Sequence, residues 1–584
     1  MYIQDLGNYQ SIILDYSFLR EFGGTSLFTQ FYSTISSSNS EIYVGSNFKL
    51  FHSCLVHQAD DKDEGTCQSF RDLCMNLLAA KKFHEIAHLD TGKFLESASM
   101  LDNPCILTTF SSILLKRIIE YNYEVLIPIV VVNAEGLIRY ENSHELIEAN
   151  ALNSISSLAF NNSFLDIDVY CSVNDIVYTA NMELVRLEKR LNNGAEGMVF
   201  LTDKSGVVAK IFHKDIITPL RWAKLTRMVS MGIKSVGICW PQDLLFNSGT
   251  PVGNTMSLGK GKTLSTVFDG PDAIIDCFPN WMRVDVVDTA INLLEKYIYL
   301  HMHDILAGDI QLKNALISSS SSVFLIDMDS CQIGNLPCPV GTEEFTDTAL
   351  WGKNFAHFLR EMKNEDYSLA MLVFSILFCG LNPYASRHGK ETLREEILDK
   401  NFPYRLDNSN NEFIPKGGYD QIWNYLPDKL RTMLYDVFKL GKRYEDIEWY
   451  SALLDYKNDL ISKKYSDPEA YKLFPKSSYS SRSDVVIRPR IKEPLTFSGG
   501  DIVSNRSFMS SPNSGMNQMD EADMNSRAAS VPKYSLNYSS QRGASSKQEK
   551  KTFFEQFKSS LETRLIVILF LIIVVLVVIG LITW

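Results

Sequence analysis

"GDIQLKNALI", residues Gly308 to Ile317, places an Asp and an Asn five positions apart at the mouth of an apolar strand. The Asp309 carboxylate can orient or accept the proton of an attacking hydroxyl, and the Asn314 amide oxygen can hold a hard divalent cation. Eighteen residues after Asp309, the apolar run "VFLIDMDSCQIG" ends in Asp327, an acid placed to bind a metal that bridges phosphate groups. Upstream, "LNNGAEGMVFLTDKSGVVAKIF" reads as two strands joined by a turn, with Gly194, Gly197 and Val199 ahead of Lys210. Glycines let backbone N–H groups close over phosphates, and a strand Lys neutralises their charge. Each part is weak alone, since two glycines in a hairpin are ordinarily a turn. In this order and spacing they are the parts of a phosphoryl-transfer site.

Two further stretches follow in register. "CPVGTEEFT" resembles the close of an activation segment, and "EDYSLAMLVFSILFCGLNPYA" reads as a wholly buried helix with Asp366 at its start. The set resembles the α+β, bilobal protein-kinase fold over about half of the chain (171–465). Within that fold it is most similar to the bacterial serine/threonine kinase-like proteins of the YegI type. Gly308-Asp309, Asp327-Met328-Asp329 and "PCPVGT" carry that likeness. The resemblance implies ATP and Mg²⁺ as cofactors, with Lys210 on the phosphates and Asp309 as catalytic base. It also implies Asn314 and Asp327 as metal ligands. Gly194, Gly197, Val199 and Met256 would line the nucleotide site, Met256 standing in "TMSL" where the hinge falls. "GKGK", Gly259 to Lys262, has no Walker context and reads as a linker after the hinge.

The chain also departs from the family pattern. A kinase pairs its strand Lys with a Glu from the next helix, yet no Asp or Glu occurs between Ile216 and Gln242, and Thr226 falls about where that Glu is expected. Lys210 must find another partner, with Asp327 or the nucleotide as candidates. Asp329 ranks second to Asp327, either sharing the metal or bonding nearby backbone. "FTDTALWG" lacks the Pro-Glu that normally pairs with a buried Arg, and Asn192 replaces the first loop glycine. His301 and His303 resemble a metal pair, but at the end of a helix packing and capping roles are expected.

These residues need elements to hold them. In residues 1–150, apolar strands alternate with helices ("SIILDYSFL", "EIYVGSNFKLF", "PCILTTFSSILLKRII", "EVLIPIVVV"), which predicts a parallel α/β sheet. The order resembles a PIN-type nuclease domain, with Asp15 as its first acid, but Phe110 stands where a later acid belongs. A binding or regulatory module is therefore expected, with a nuclease as the minor alternative.

Composition bounds the rest. The 584 residues carry a net charge of −12 without a long basic run, which argues against a nucleic-acid surface. Ten Cys without a CxxC pair read as reduced thiols. Between Lys476 and Ser546, 18 of 71 positions are Ser, so 476–550 is expected to be a disordered linker. "LIVILFLIIVVLVVIGLITW", 565–584, has the length and apolarity of a transmembrane helix, and Lys550, Lys551, Lys558 and Arg564 precede it. The expectation is a multidomain, tail-anchored chain with its bulk in the cytoplasm. It would transfer the γ-phosphoryl of Mg-ATP to a serine or threonine hydroxyl of a protein partner, and the linker is a candidate for self-phosphorylation. An ATP-binding pseudokinase scaffold is the alternative.

Overall fold

A computed structural model describes residues 1–59, 63–154, 170–214, 216–407, 412–415 and 417–475. The linker expected at 476–550 and the transmembrane helix expected at 565–584 lie outside the described residues. Among the described residues no helix is long and apolar enough to cross a membrane.

The N-terminal region is one sheet with helices on its faces. Strands β1 (Ser11–Leu14), β2 (Glu41–Gly45), β3 (Phe83–Ile86), β4 (Pro104–Thr109), β5 (Ile129–Asn133) and β6 (Gly136–Tyr140) run in the order β3-β2-β1-β4-β5-β6. Pairing is parallel from β3 through β5 and antiparallel only at the β6 edge. Both faces of "SIIL" are buried, which is why its apolar run is continuous and not alternating. Asp15 ends β1 and caps helix α1 (Tyr16–Phe22) by accepting from Ser17 N at 3.2 Å. Two more helices of this region matter below, α2 (Asn47–Gln58) and α3 (Ile113–Glu120).

The second region has two parts. Strands β7 (Ile176–Thr179), β8 (Leu184–Asn193), β9 (Gly197–Thr202), β10 (Val207–Phe212), β11 (Asp243–Asn247) and β12 (Thr250–Ser257) close into a barrel in the order β10-β12-β11-β7-β8-β9, with α4 (Pro219–Met231) inserted between β10 and β11. "GKGK" ends in short strand β13 (Lys262–Thr263). It is followed by α5 (Arg283–Met302), β14 (Ile305–Leu306), β15 (Ala315–Ser319), β16 (Ser322–Leu325) and β17 (Gln332–Ile333). The lower part is helical, built on α5, α6 (Met362–Leu377) and α7 (Asp446–Ile461). All but one of the sixteen residues of α6 are buried: the largely apolar run from Leu369 to Leu377 packs into the core, and the acids of the first turns are buried against charged partners.

The two regions share one hydrophobic core, which runs from Ile3 through Phe48 and Phe51 of α2 to α5, α6 and Phe474. Polar groups cross the same boundary. Arg117 of α3 is 0% exposed and donates both Nη atoms to Asp366 of α6, one at 2.8 Å. Tyr121 OH donates to the same carboxylate at 3.1 Å. Glu445 lies 3.6 Å and Asp446 3.8 Å from the same guanidinium, and Glu445 also accepts from Thr91 N at 2.9 Å. On the other flank, Glu295 of α5 accepts from Gln58 Nε2 at 3.0 Å and Tyr450 OH at 2.7 Å. Burial alone would lower the Arg117 pKa, but the carboxylates of Asp366, Glu445 and Asp446 carry it well above the usual guanidinium range.

His301, near the end of α5, sits fully buried between two acids, Asp446 at 2.6 Å and Glu365 at 2.7 Å. Burial pulls its pKa down, and the two hydrogen-bonded carboxylates reverse that to about 9. It is an internal cation, not half of a metal pair. His303 instead pairs through Nδ1 with Tyr299 O at 2.7 Å, and burial beside Arg20 of α1 lowers it to about 4.

Two outcomes are expected. Arg117→Met removes one side of a buried pair and should cost about 3–5 kcal/mol, whereas Arg117→Met with Asp366→Leu should cost clearly less than the sum of the single changes. Denaturant unfolding of the four proteins measures this. His301 adds stability that is complete below its ordinary 6.5 and is lost as pH rises through about 9. Burial holds Glu445 and Glu448 near 7 against an ordinary 4.5, so they act in the same direction at lower pH. The melting midpoint should therefore fall between pH 6 and 9, and His301→Gln should flatten the upper part of that slope. A midpoint that rises with pH would contradict this.

Candidate active site

The candidate residues lie where the barrel meets β15 and β16. Lys210 occupies β10 opposite Val199 of β9 and Asn254 of β12. It is buried, and its Nζ lies 2.7 Å from Asp329 Oδ1, 3.4 Å from Glu196 Oε2 and 3.5 Å from Asp327 Oδ1. Burial opposes the Lys210 charge, but these three acids together hold its pKa above the ordinary lysine range. The partner that α4 does not supply as an acid therefore comes from the strand end and from the glycine turn.

At that point α4 carries a cation. Arg221 donates Nη1 and Nη2 to Glu196 at 3.0 and 2.6 Å, and Nη2 also reaches Asp329 at 3.1 Å. Thr226, expected at the key helix position, is exposed and turns its hydroxyl back to Trp222 O. Asp329, expected to share the metal or bond nearby backbone, instead meets the two cations. Asp329 is the buried partner of both cations, and its pKa, raised by burial, is pulled net downward by Lys210 and Arg221. Asp327 is 52% exposed. Lys210 draws its carboxyl down, but enclosure and the charges of Asp329 and Glu196 push it above its ordinary value.

Gly194 and Gly197 frame the turn that carries Glu196. Gly197 is required by packing, since a Cβ there would lie 2.4 Å from Ile211 O. Gly194 N donates to Gly197 O at 2.9 Å and its carbonyl meets His213 Nε2 at 2.9 Å. Beneath the turn, Val208, Cys239 and Met256 are buried, and Val199, Phe324 and Ile326 pack on them. This apolar patch joins the barrel to the lower strands.

In the lower half, Asn314 donates Nδ2 to both the carbonyl and Oδ2 of Asp309 at 2.9 Å. Among the described residues nothing donates to its Oδ1. Ile326 N donates to Asn314 O at 2.9 Å, which sets Asn314 beside the segment that leads from β16 to Asp327. Thr342 of "CPVGT" donates its hydroxyl to Asp309 Oδ1 at 2.9 Å. Gly308 has φ +75°, and a Cβ there would lie 2.4 Å from Arg360 Nη1 and 2.6 Å from Cys338 Sγ, so glycine is obligatory. Its N–H donates to Glu365, which also holds His301.

The adjacent segment is held by three cations that the motifs did not indicate. Arg360 donates to Cys338 O and Val340 O, at 3.1 and 2.5 Å. Lys224 of α4 donates to Ser330 O at 2.7 Å and Pro337 O at 2.9 Å, and burial lowers its pKa to about 8. Arg443 pairs with Asp347 at 2.8 Å, so "FTDTALWG" supplies its own acid where the Pro-Glu is missing. Cys331 and Cys338 are both buried, free thiols.

No family model matches the chain. The protein kinase YegI of Escherichia coli strain K12 is 28% identical over 279 residues, 45% of this chain and 42% of that protein. The YegI of Escherichia coli O157:H7 matches to the same extent. The chain thus spans less than half the length of the curated relatives it matches. The ROP18 kinase domain, solved in complex with AMP-PNP and sucrose, is 13% identical with a TM-score of 0.35 and covers 50% of this chain and 85% of that one, too loose a fit to carry weight. Over somewhat less than half of its length, this chain is distantly homologous to a protein kinase.

Proposed function

We propose that this chain is a membrane-anchored protein serine/threonine kinase that uses ATP and Mg²⁺. What supports the reading most is that Lys210 lies beside Asp327, whose neighbour Ile326 bonds Asn314 through the backbone, and that Asn314 in turn holds Asp309. The residues present fit the cofactors. Asp327 and the free Oδ1 of Asn314 are hard oxygen donors, and an acid whose pKa is raised by neighbouring acids is relieved by a divalent cation. When bound, Mg-ATP would supply the transferable phosphoryl group, and its Mg²⁺ the positive charge that offsets the acids. Lys210 holds phosphate oxygens. Asp309 orients the substrate hydroxyl and takes its proton, and the approach of Thr342 Oγ1 shows that a hydroxyl reaches this carboxylate.

The N-terminal layer serves in this reading as a PIN-like scaffold. Its strand order supports that, as does the use of Asp15 to cap α1 and accept from Thr108 Oγ1 at 3.2 Å. The anchor at 565–584 and self-phosphorylation of the Ser-rich linker rest on sequence alone. A nucleotide-binding scaffold without transfer is the second reading, favoured by the saturation of Lys210 with acids in the structure.

Incubating the purified chain with radiolabelled Mg-ATP distinguishes these readings. Protein-bound label is expected from the wild type and should drop at least about a hundredfold in Asp309→Ala, since general-base positioning contributes on that order. Nucleotide bound without transferred label would leave the scaffold reading. Asp327→Asn should keep the fold and weaken Mg-dependent nucleotide binding about tenfold or more, because one hard anionic ligand is lost. Equal calorimetric affinity for the two proteins would remove Asp327 from the metal site.

A further inference from the structure

Glu196 lies in the short turn between Gly194 and Gly197, and its carboxylate sits against both cations of the cleft. It takes a fork of two hydrogen bonds from Arg221 and lies 3.4 Å from Lys210. This is how a phosphate would be held, by a planar guanidinium fork and an ammonium. Both cations also lie over the Phe212 ring, Arg221 at 4.8 Å and Lys210 at 5.4 Å, which fixes them side by side.

The charge count decides what must happen when an anion enters. Lys210 and Arg221 bring two positive charges, and Glu196, Asp327 and Asp329 three negative ones. A nucleoside triphosphate adding its phosphates to this set meets repulsion, which a divalent cation at Asp327 eases and the withdrawal of an acid from the two cations eases further. Asp329 is 2% exposed and bonded to both cations, so it stays. Asp327 is half-exposed and suited to the metal. Glu196 is 27% exposed, and its backbone is pinned by His213 N donating to its carbonyl at 2.9 Å. Only its side chain has to turn, giving up its bonds to Arg221 and Lys210, which the entering phosphate oxygens would replace.

We propose that Glu196 is an internal anion standing in the phosphate position of the free protein. On entry of a nucleoside triphosphate it releases Arg221, which becomes a second phosphate-binding cation beside Lys210. The inference rests on the nucleotide reading and adds to it a binding residue from α4 and a competitor built into the glycine turn. An intramolecular competitor lowers apparent affinity by the fraction of molecules in which it is seated.

Calorimetry on the full chain with Mg²⁺ and a non-hydrolysable ATP analogue tests it, with melting curves to confirm that each variant is folded. Glu196→Gln keeps the shape and removes the competing charge, so binding should tighten about tenfold. Arg221→Gln should weaken it about tenfold, and Arg221→Lys, which keeps charge but loses the fork, should fall between. In the double variant the gain from removing Glu196 should be smaller than in the wild-type background, because only Lys210 is left to compete for. If the wild type binds and Arg221→Gln binds equally well, the guanidinium is structural and the proposal fails while the nucleotide reading stands. Slower phosphoryl transfer in Glu196→Gln without tighter binding would assign Glu196 to holding Lys210, and also overturn it. If neither the wild type nor Glu196→Gln binds the analogue, both the nucleotide reading and this inference fall.

Discussion

Arg117 is the constraint on which the lower half of the molecule depends. A guanidinium with no exposure must be matched by acids, and the acids it meets belong to α6 and the start of α7. Glu365, next to Asp366 on α6, holds the Gly308 N–H and His301. His301 in turn holds Asp446, which faces Arg117. The N-terminal region thereby anchors, through α3, the same short stretch of α6 that anchors the loop at Gly308. Desolvation makes such a network costly to leave partly filled. Once one member is in place, the others have little freedom.

The upper half follows the same electrostatic logic with the polarity of the helix reversed. In the pattern the sequence resembles, a helix acid steadies the strand lysine. Here α4 brings Arg221 and Lys224, and acids come from Glu196 in the turn and Asp329 past the strand. A buried lysine needs negative charge nearby, but the need does not specify which element provides it. Lys224 shows the same point, since backbone carbonyls satisfy it at the expense of a lowered pKa.

Much of the fold was legible because hydrophobic pattern and local chemistry agree. "SIIL" and "IVVV" are strands buried on both faces, the polar start of "SILLKRII" caps a helix through Ser112, and the run around "LAMLVFSIL" is a buried helix. The spacing of Asp309, Asn314 and Asp327 was legible because a loop and a strand end fix it within a few residues. The long-range charge partners were not. Arg117 in "LLKRIIEY" looks like the solvated side of an amphipathic helix, and Glu196 in "GAEG" looks like turn polarity. Asp347, which meets Arg443 at 2.8 Å, is hidden for the same reason. The signal available was indirect: a strand Lys with no acid on its following helix requires one elsewhere, and beside the two acids of "DMD" stood Glu196 of "GAEG", which had no role in the sequence reading.

The crossing between the regions has a consequence for what counts as a domain here. Gln58, Thr91 and Arg117 on one side, and Glu295, Glu445 and Asp366 on the other, meet in a continuous apolar core. Such a boundary behaves like the inside of a protein and not like a joint between two. Covalent continuity through 155–169 is then secondary to complementarity. Were the chain cut there, the halves would form a heterodimer whose persistence depends on concentration, and the smaller half would act as an obligate subunit of the larger.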